Sequence, residues 1–180
     1  FNYDYIKSSN KMVVLADGLY FYRLHDASIT GAYRTAVGHT DIIRRAAEIF
    51  DSVTVALCHN TEKKYMFTPE QREKLLTLAV SGMKNVKVAV CRGLVADFAA
   101  EVGASVIVRG IRNPVDSAYE ADMATINRGL GSHPETVFLP SKPEFLHISS
   151  SYVCDMIKYR QPLDGIVPEE AAEYLRSLTV

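Results

Sequence analysis

The sequence predicts an α/β fold, a parallel sheet with helices on both faces, in a single domain. Three observations lead there. From position 39 onward the apolar spacing alternates between the helical period and the strand period. The strand-like runs are separated by helices and not by tight hairpins, which calls for parallel pairing through crossovers. The chain has 180 residues, 48% hydrophobic and 23% charged, which suffices for one substantial core and is cramped for two.

Each element has a local reason. Residues 39–50 (HTDIIRRAAEIF) place Ile42, Ile43, Ala46, Ala47 and Phe50 at helical spacing, and Asp51-Ser52 then leads into the strand-like VTVALC at 53–58. Thr68-Pro69-Glu70-Gln71 combines an N-cap threonine, a proline at the first helical position and a capping-box glutamine, so a helix runs to about Val80 before Ser81-Gly82 stops it. VKVAVC at 86–91 reads as the next strand. LVADFAAEVG at 94–103 is a short amphipathic helix with a glycine stop, and ASVIVRG at 104–110 is a β-branched run suited to a strand covered on both faces. A helix over 114–128, a strand over 136–140 and helices over 149–159 and 168–178 complete the pattern.

Residues 1–38 form an atypical N-terminal segment before the α/β domain at 39–180, with one domain overall. Within it, MVVLADGLYFYRL at 12–24 has two β-prone runs around Asp17-Gly18, which favours a hairpin with a type I′ turn; a single strand ending at Asp17-Gly18 is the competing reading. No internal repeat, low-complexity tract or Pro/Gly/Ser linker marks a boundary.

Composition narrows the partners. Lys plus Arg number 20 against 21 Asp plus Glu, giving a net charge of -1, so the charge asymmetry of an electrostatic nucleic-acid binder is missing and no nucleic-acid partner is expected. The longest apolar runs fall far short of the roughly 20 residues of a membrane helix, so no membrane partner is expected. No secretory leader pattern opens the chain, and Cys58, Cys91 and Cys154 are odd in number and widely spaced, which fits a reducing cytoplasm. Each cysteine lies in or beside an apolar run and no CxxC occurs, so buried packing is expected and no protein metal site.

In open α/β sheets ligands sit beyond the carboxyl ends of the strands. Five stretches are placed there. Gly38-His39 directly precedes a helix, where free N–H groups and the dipole favour a phosphate, though for the pair alone a loop glycine followed by a capping polar residue is the commoner account. The loop HNTEKKY at 59–65 follows a strand and offers Lys63, although adjacent lysines are more often only solvated. Val108-Arg109-Gly110-Ile111-Arg112 runs a buried-looking strand into two arginines suited to bidentate anion recognition, with Gly110 permitting close backbone approach. Tyr119-Glu120 follows in a helix, where surface polarity is the simpler account. His147-Ile148-Ser149-Ser150-Ser151-Tyr152-Val153 opens a helix with hydroxyls that are good N-caps and also a phosphate cradle.

Taken in order, GH-x-D-I-I-x-R-A, N-x-x-K-K, T-x-E-x-R, V-R-G-I-R, D-x-x-Y-E, N-R and I-S-S-S-x-V closely resemble bacterial phosphopantetheine adenylyltransferases, from about Gly38 to the C-terminus. The resemblance implies a nucleotidyltransferase of Rossmann-like α/β fold that transfers the adenylyl group of ATP to 4′-phosphopantetheine, giving dephospho-CoA and pyrophosphate in coenzyme A synthesis, with Mg²⁺ accompanying ATP, in a cytoplasmic homo-hexamer. Carried over residue by residue, it implies that His39 stabilises charge at the α-phosphate. Lys63, Val95 and Arg109 would face phosphopantetheine. Gly38, Gly110, Ile111, Arg112, Glu120 and His147 through Tyr152 would join His39 around ATP.

One stretch departs from the family. Its G-x-F-D-P-x-T-x-G-H loop is replaced here by Gly31-Ala32-Tyr33-Arg34-Thr35-Ala36-Val37-Gly38-His39, in which only the final Gly-His remains. KMVVLADG at 11–18 would serve as the family's first strand with about twenty residues inserted after it. The expected function is therefore an active adenylyltransferase, with a catalytically impaired nucleotide- or CoA-binding protein on the same scaffold as the alternative. A changed acceptor, such as nicotinate or nicotinamide mononucleotide, is a third reading.

Overall fold

A computed structural model describes residues 12–15, 40–58, 65–130 and 134–178. Five strands, β1 (Met12–Leu15), β2 (Val53–Cys58), β3 (Val86–Cys91), β4 (Val106–Ile111) and β5 (Glu135–Pro140), form one sheet in the order β3-β2-β1-β4-β5. Every pairing is parallel. Among the described residues six α-helices connect and cover it: α1 (Thr40–Ile49), α2 (Pro69–Ala79), α3 (Val95–Glu101), α4 (Pro114–Gly129), α5 (Ser150–Lys158) and α6 (Glu169–Ser177). The α/β reading holds, with element limits within about two residues of those the apolar pattern predicts.

The first strand bears on the two readings of residues 12–24, of which 16–24 lie outside the described residues. Met12–Leu15 pairs with Val53–Ala56 on one side, and Met12–Val14 with Val106–Val108 on the other. Both edges are taken, so no antiparallel partner can pair along Met12–Val14, and the hairpin expectation fails there. What misled it is the Asp-Gly pair, a strong turn signal that says nothing about whether the strand before it is central or at an edge.

Alternation along the strands sorts the core into two faces. Val53, Val55 and Leu57 of β2 and Val106 and Val108 of β4 share one cluster with Ile42, Ile43, Ala46 and Phe50 of the α1 region and Leu76 and Val80 of the α2 region. Ala56, Cys58 and Ile107 point the other way, onto Cys91 and onto Phe98 and Ala99 of α3. Val106, Ile107 and Val108 are all buried, as a strand covered on both faces requires.

Helix α2 has two jobs. Thr68 accepts from the Gln71 N–H at 3.2 Å while the Thr68 N–H donates to Gln71 Oε1 at 2.9 Å, the reciprocal capping box that the sequence predicts. Beyond that cap, Leu76 faces the sheet, whereas Leu75 and Ala79 face a separate core with Ile148, Val153, Leu163, Ala171, Ala172 and Leu175. The C-terminal helices α5 and α6 therefore rest on the far side of α2.

Candidate functional site

The strand order reverses at β1. From β1 the chain adds β2 and then β3 on one side, then crosses to place β4 and β5 on the other. The carboxyl ends of β1, β2 and β4 consequently border the crevice where doubly wound sheets bind ligands.

Strand β4 delivers two arginines to that edge, each already in a fork. Arg109 Nε and Nη2 donate to Glu120 Oε2 and Oε1, both at 2.6 Å, with side chains 11% and 6% exposed. Arg109 shares the Ile107 face of β4, and Glu120 is the buried residue by which α4 meets it. Arg112 Nε donates to Asp116 Oδ2 at 2.8 Å, and its Nη1 donates to the Ile148 carbonyl at 3.4 Å. Asp116 is fixed in turn, because its N–H donates to the Oδ1 of Asn113, the N-cap of α4, at 2.9 Å.

Gly110 stands between the two arginines. A Cβ there would lie 2.9 Å from Ile42 Cγ1, so the close approach it allows is that of α1 to the sheet. The Ile111 carbonyl accepts from the Ser141 N–H at 2.8 Å, which ties the exits of β4 and β5 together.

The serine turn caps a helix as the simpler reading expects. Ser149 Oγ accepts from the Tyr152 N–H at 3.1 Å, and the His147 and Tyr152 rings meet edge to face at 5.6 Å. Ile148 is buried, Ser149, Ser151 and Tyr152 are half-buried, and His147 is exposed. Between this turn and the start of α1 lies a cavity of about 220 Å³ lined by Thr40, Asp41, Arg44, Phe145, Ile148 and Val167, among others. Asp41 Oδ2 is buried on its wall with no hydrogen-bond partner among the described residues, and Oδ1 is 3.7 Å from Lys142 Nζ. An orphaned buried carboxylate oxygen carries a desolvation cost that a ligand donor would offset.

At the β2 and β3 ends, Cys58 and Cys91 are register partners and both buried. The adjacent Cys58 thiol holds the Cys91 thiol down, to about 7, while the same neighbour and burial push Cys58 up. Burial raises Cys154 to about 11. All three are free thiols in packed surroundings, as their apolar sequence context predicts. Val95, first residue of α3, packs partly buried against the Cys58 and Cys91 cluster. Arg72, only 5% exposed, donates from Nη2 to the Cys58 carbonyl at 3.1 Å and lies 3.8 Å over the Tyr65 ring. Burial lowers its pKa to about 10.

Residues 35–155, well over half of the chain, match the cytidylyltransferase-like family. The phosphopantetheine adenylyltransferase of Symbiobacterium thermophilum is 44% identical over 140 residues, 78% of this chain and 86% of the relative. That of Streptococcus gordonii is 40% identical over 143 residues, 79% of this chain and 87% of the relative. That of Leuconostoc citreum is 49% identical over 116 residues, 64% of this chain and 73% of the relative. The chain belongs to the phosphopantetheine adenylyltransferase family.

Set against the residues that the family resemblance singles out, the structure brings Arg112 to the serine turn through the Ile148 carbonyl and closes Arg109 onto Glu120. Sequence reasoning had put Arg109 and Glu120 beside different substrates, with no sign that they pair. Val95 stands at the start of α3, beyond the β3 exit. Gly38, His39 and Lys63 lie outside the described residues. Sequence reasoning gave no role to Arg72, Asp41 or Asp116. All three sit within quoted strings, T-x-E-x-R, GH-x-D and D-x-x-Y-E, and those strings were the available signal. Among the described residues no group of three or more His, Cys, Asp or Glu is placed to hold a metal ion, and no helix is long and apolar enough to cross a membrane.

Proposed function

We propose that the chain transfers the adenylyl group of ATP to 4′-phosphopantetheine, giving dephospho-CoA and pyrophosphate, as the names of its family relatives imply. The observation that carries the reading is Arg112: one guanidinium joins the β4 exit, the α4 cap and the serine-capped start of α5, three elements that meet where a nucleotide would lie.

In this reaction an oxygen of the acceptor phosphate attacks the α-phosphorus of ATP, the bond from that phosphorus to the bridging oxygen breaks, and pyrophosphate leaves. The nucleophile is already anionic, so positioning and charge stabilisation carry the catalysis. His39 would steady charge on the α-phosphate and Lys63 would hold the acceptor phosphate. Arg109 and Val95 would line the acceptor side. Gly110, Ile111, Arg112, Glu120 and the turn from His147 to Tyr152 would receive ATP, with the cavity beside Thr40 and Ile148 adjoining that turn.

Mg²⁺ would travel on the ATP phosphates. The Asp116 and Glu120 carboxylates are engaged by arginines, which suits an ion carried by its nucleotide, since Mg²⁺ is commonly held through substrate phosphates and water. Bound there, it would neutralise the departing pyrophosphate. We also place the chain in a cytoplasmic homo-hexamer. Exposed Val115, Tyr119, Ile126 and Leu130 along α4 supply an apolar strip of the kind that subunit contacts cover.

The test is pyrophosphate release from ATP that depends on 4′-phosphopantetheine. Arg112→Ala should raise the KM for ATP, and His39→Ala should mainly lower kcat. Folded protein that binds ATP or CoA without turnover would overturn the proposal and leave a binding protein.

A further inference from the structure

The carboxyl ends of β2 and β3 hold two nucleophilic side chains that adenylyl transfer leaves unused. Cys58 and Cys91 are the last residues of their strands and lie opposite each other as register partners. Side chains alternate along a strand, so partners in register share a face. Ala56 with Cys58, and Ala89 with Cys91, accordingly all belong to the cluster covered by Phe98 and Ala99 of α3. Neighbouring strands run about 4.8 Å apart, inside the span of roughly 4.4–6.8 Å between Cα atoms that a disulfide bridges. Both thiols are free, and Cys154, buried in α5, belongs to neither strand.

The pair is buried, yet shallowly. Strand β3 is an edge of the sheet, and Cys91 is followed at once by Arg92, Gly93 and Leu94, all exposed. A local opening of that turn admits an oxidant as small as a peroxide while the sheet stays folded. The two thiols also differ in kind. Cys91, held down to about 7 by its neighbour, is partly thiolate at neutral pH, whereas Cys58 stays protonated. Cys91 Sγ lies 3.4 Å from the Gly93 carbonyl, so the sulfur is tied to the turn that leads into Val95 and α3.

We propose that Cys58 and Cys91 are an oxidation site for hydroperoxides, closing into a disulfide across the ends of β2 and β3 that weakens binding of the acceptor. The Cys91 thiolate attacks one peroxide oxygen and the O–O bond breaks, leaving Cys91 sulfenic acid and a hydroxide that is protonated to water. The Cys58 sulfur then attacks the Cys91 sulfur, the S–O bond breaks, and the Cys58 proton leaves with that oxygen as water. The two thiols together give up one electron pair, and the peroxide is reduced by it. The bridge draws Cys91 Sγ from the Gly93 carbonyl and displaces the turn that carries Val95, on the side where the Arg109 charge bears on Cys58. This effect on binding rests on the reading of Val95 and Arg109 as acceptor-side residues.

The experiment treats the full-length wild type, Cys58→Ala, Cys91→Ala and Cys154→Ala with hydrogen peroxide and maps the products by peptide mass, before and after dithiothreitol. Wild type and Cys154→Ala should both yield a crosslink between Cys58 and Cys91 of one chain, which dithiothreitol reverses. Cys58→Ala should instead accumulate Cys91 sulfenic acid, trapped by dimedone, and Cys91→Ala should consume peroxide about tenfold more slowly than wild type. In the oxidised wild type the KM for 4′-phosphopantetheine should rise about fivefold, with the KM for ATP within about twofold, and reduction should reverse the change. Cys58 and Cys91 still free after treatment, Cys91 sulfinic acid without a crosslink in the wild type, or a crosslink that leaves the acceptor KM unchanged would overturn the proposal. A wild type that lacks turnover before oxidation would instead overturn the functional reading, while the crosslink map still decides whether the pair is an oxidation site.

Discussion

Removing the Glu120 carboxylate with Glu120→Ala would leave the Arg109 guanidinium buried against α4 without the carboxylate that takes two of its donors. The pair is bidentate at 2.6 Å on both contacts, with the side chains 11% and 6% exposed, so neither charge has water to fall back on. Deleting one member of such a pair costs about 3–5 kcal/mol, against a total stability of roughly 5–15 kcal/mol for a domain. Replacing both members, as in Arg109→Met/Glu120→Leu, removes the stranded charge and should return stability to about the wild-type value or above it. The assay is urea unfolding followed by far-ultraviolet circular dichroism, with an unchanged m-value as the sign that the same surface is exposed. A loss below about 1 kcal/mol in Glu120→Ala would refute the reasoning, because it would mean that the pair behaves like an exposed one. The double variant separates two roles: restored stability with lost acceptor binding is the expected outcome, since the apolar pair keeps the packing and discards the cation.

Other consequences can be measured alongside. Gly110→Ala should destabilise by about 1–3 kcal/mol, because its Cβ would press on Ile42 Cγ1 at 2.9 Å, and Ile42→Ala in the same chain should show a favourable coupling; simple additivity in a double-mutant cycle would contradict that contact. Thr68→Ala, which deletes the capping box of α2, should cost about 1 kcal/mol in the same urea assay, and an unchanged midpoint would count against it. Native protein at pH 8 should react slowly with a thiol reagent at all three cysteines, with Cys91 first among them because its thiol is held down to about 7, and rapid labelling of Cys154 would disagree with its burial and its pKa of about 11.

The parts of the fold that were legible in the sequence are those encoded locally. The β-branched run at 104–110 becomes β4, VKVAVC becomes β3 without a shift, and Thr68 with Gln71 opens α2 as its side-chain chemistry dictates. What a local pattern cannot carry is which strand lies beside which. Met12–Leu15 has the same β-prone character at a sheet centre as at a hairpin edge, and only its two parallel neighbours decide the matter. The same limit applies at the site. Arg109 and Arg112 could be chosen from their place at a strand exit, whereas their partners Glu120 and Asp116 depend on how α4 is laid across β4. Gly110 was singled out for the correct property, and the close neighbour turned out to be Ile42. Arg72 was written in the T-x-E-x-R string, yet a buried arginine and a solvated one look alike in sequence.

The two cores described for the fold divide the candidate site between them. The β4 arginines stand on the sheet and the clusters of its two faces, while the serine turn of α5 hangs on the cluster that α5 and α6 share with the outer face of α2. Arg112 reaches across with a single long hydrogen bond, 3.4 Å to the Ile148 carbonyl. Cooperative units of this kind open with their own free energies, so amides of α5 and α6 should exchange with solvent through openings that leave the sheet protected. A nucleotide held by both units would act as a bolt between them, slowing that exchange in proportion to its saturation.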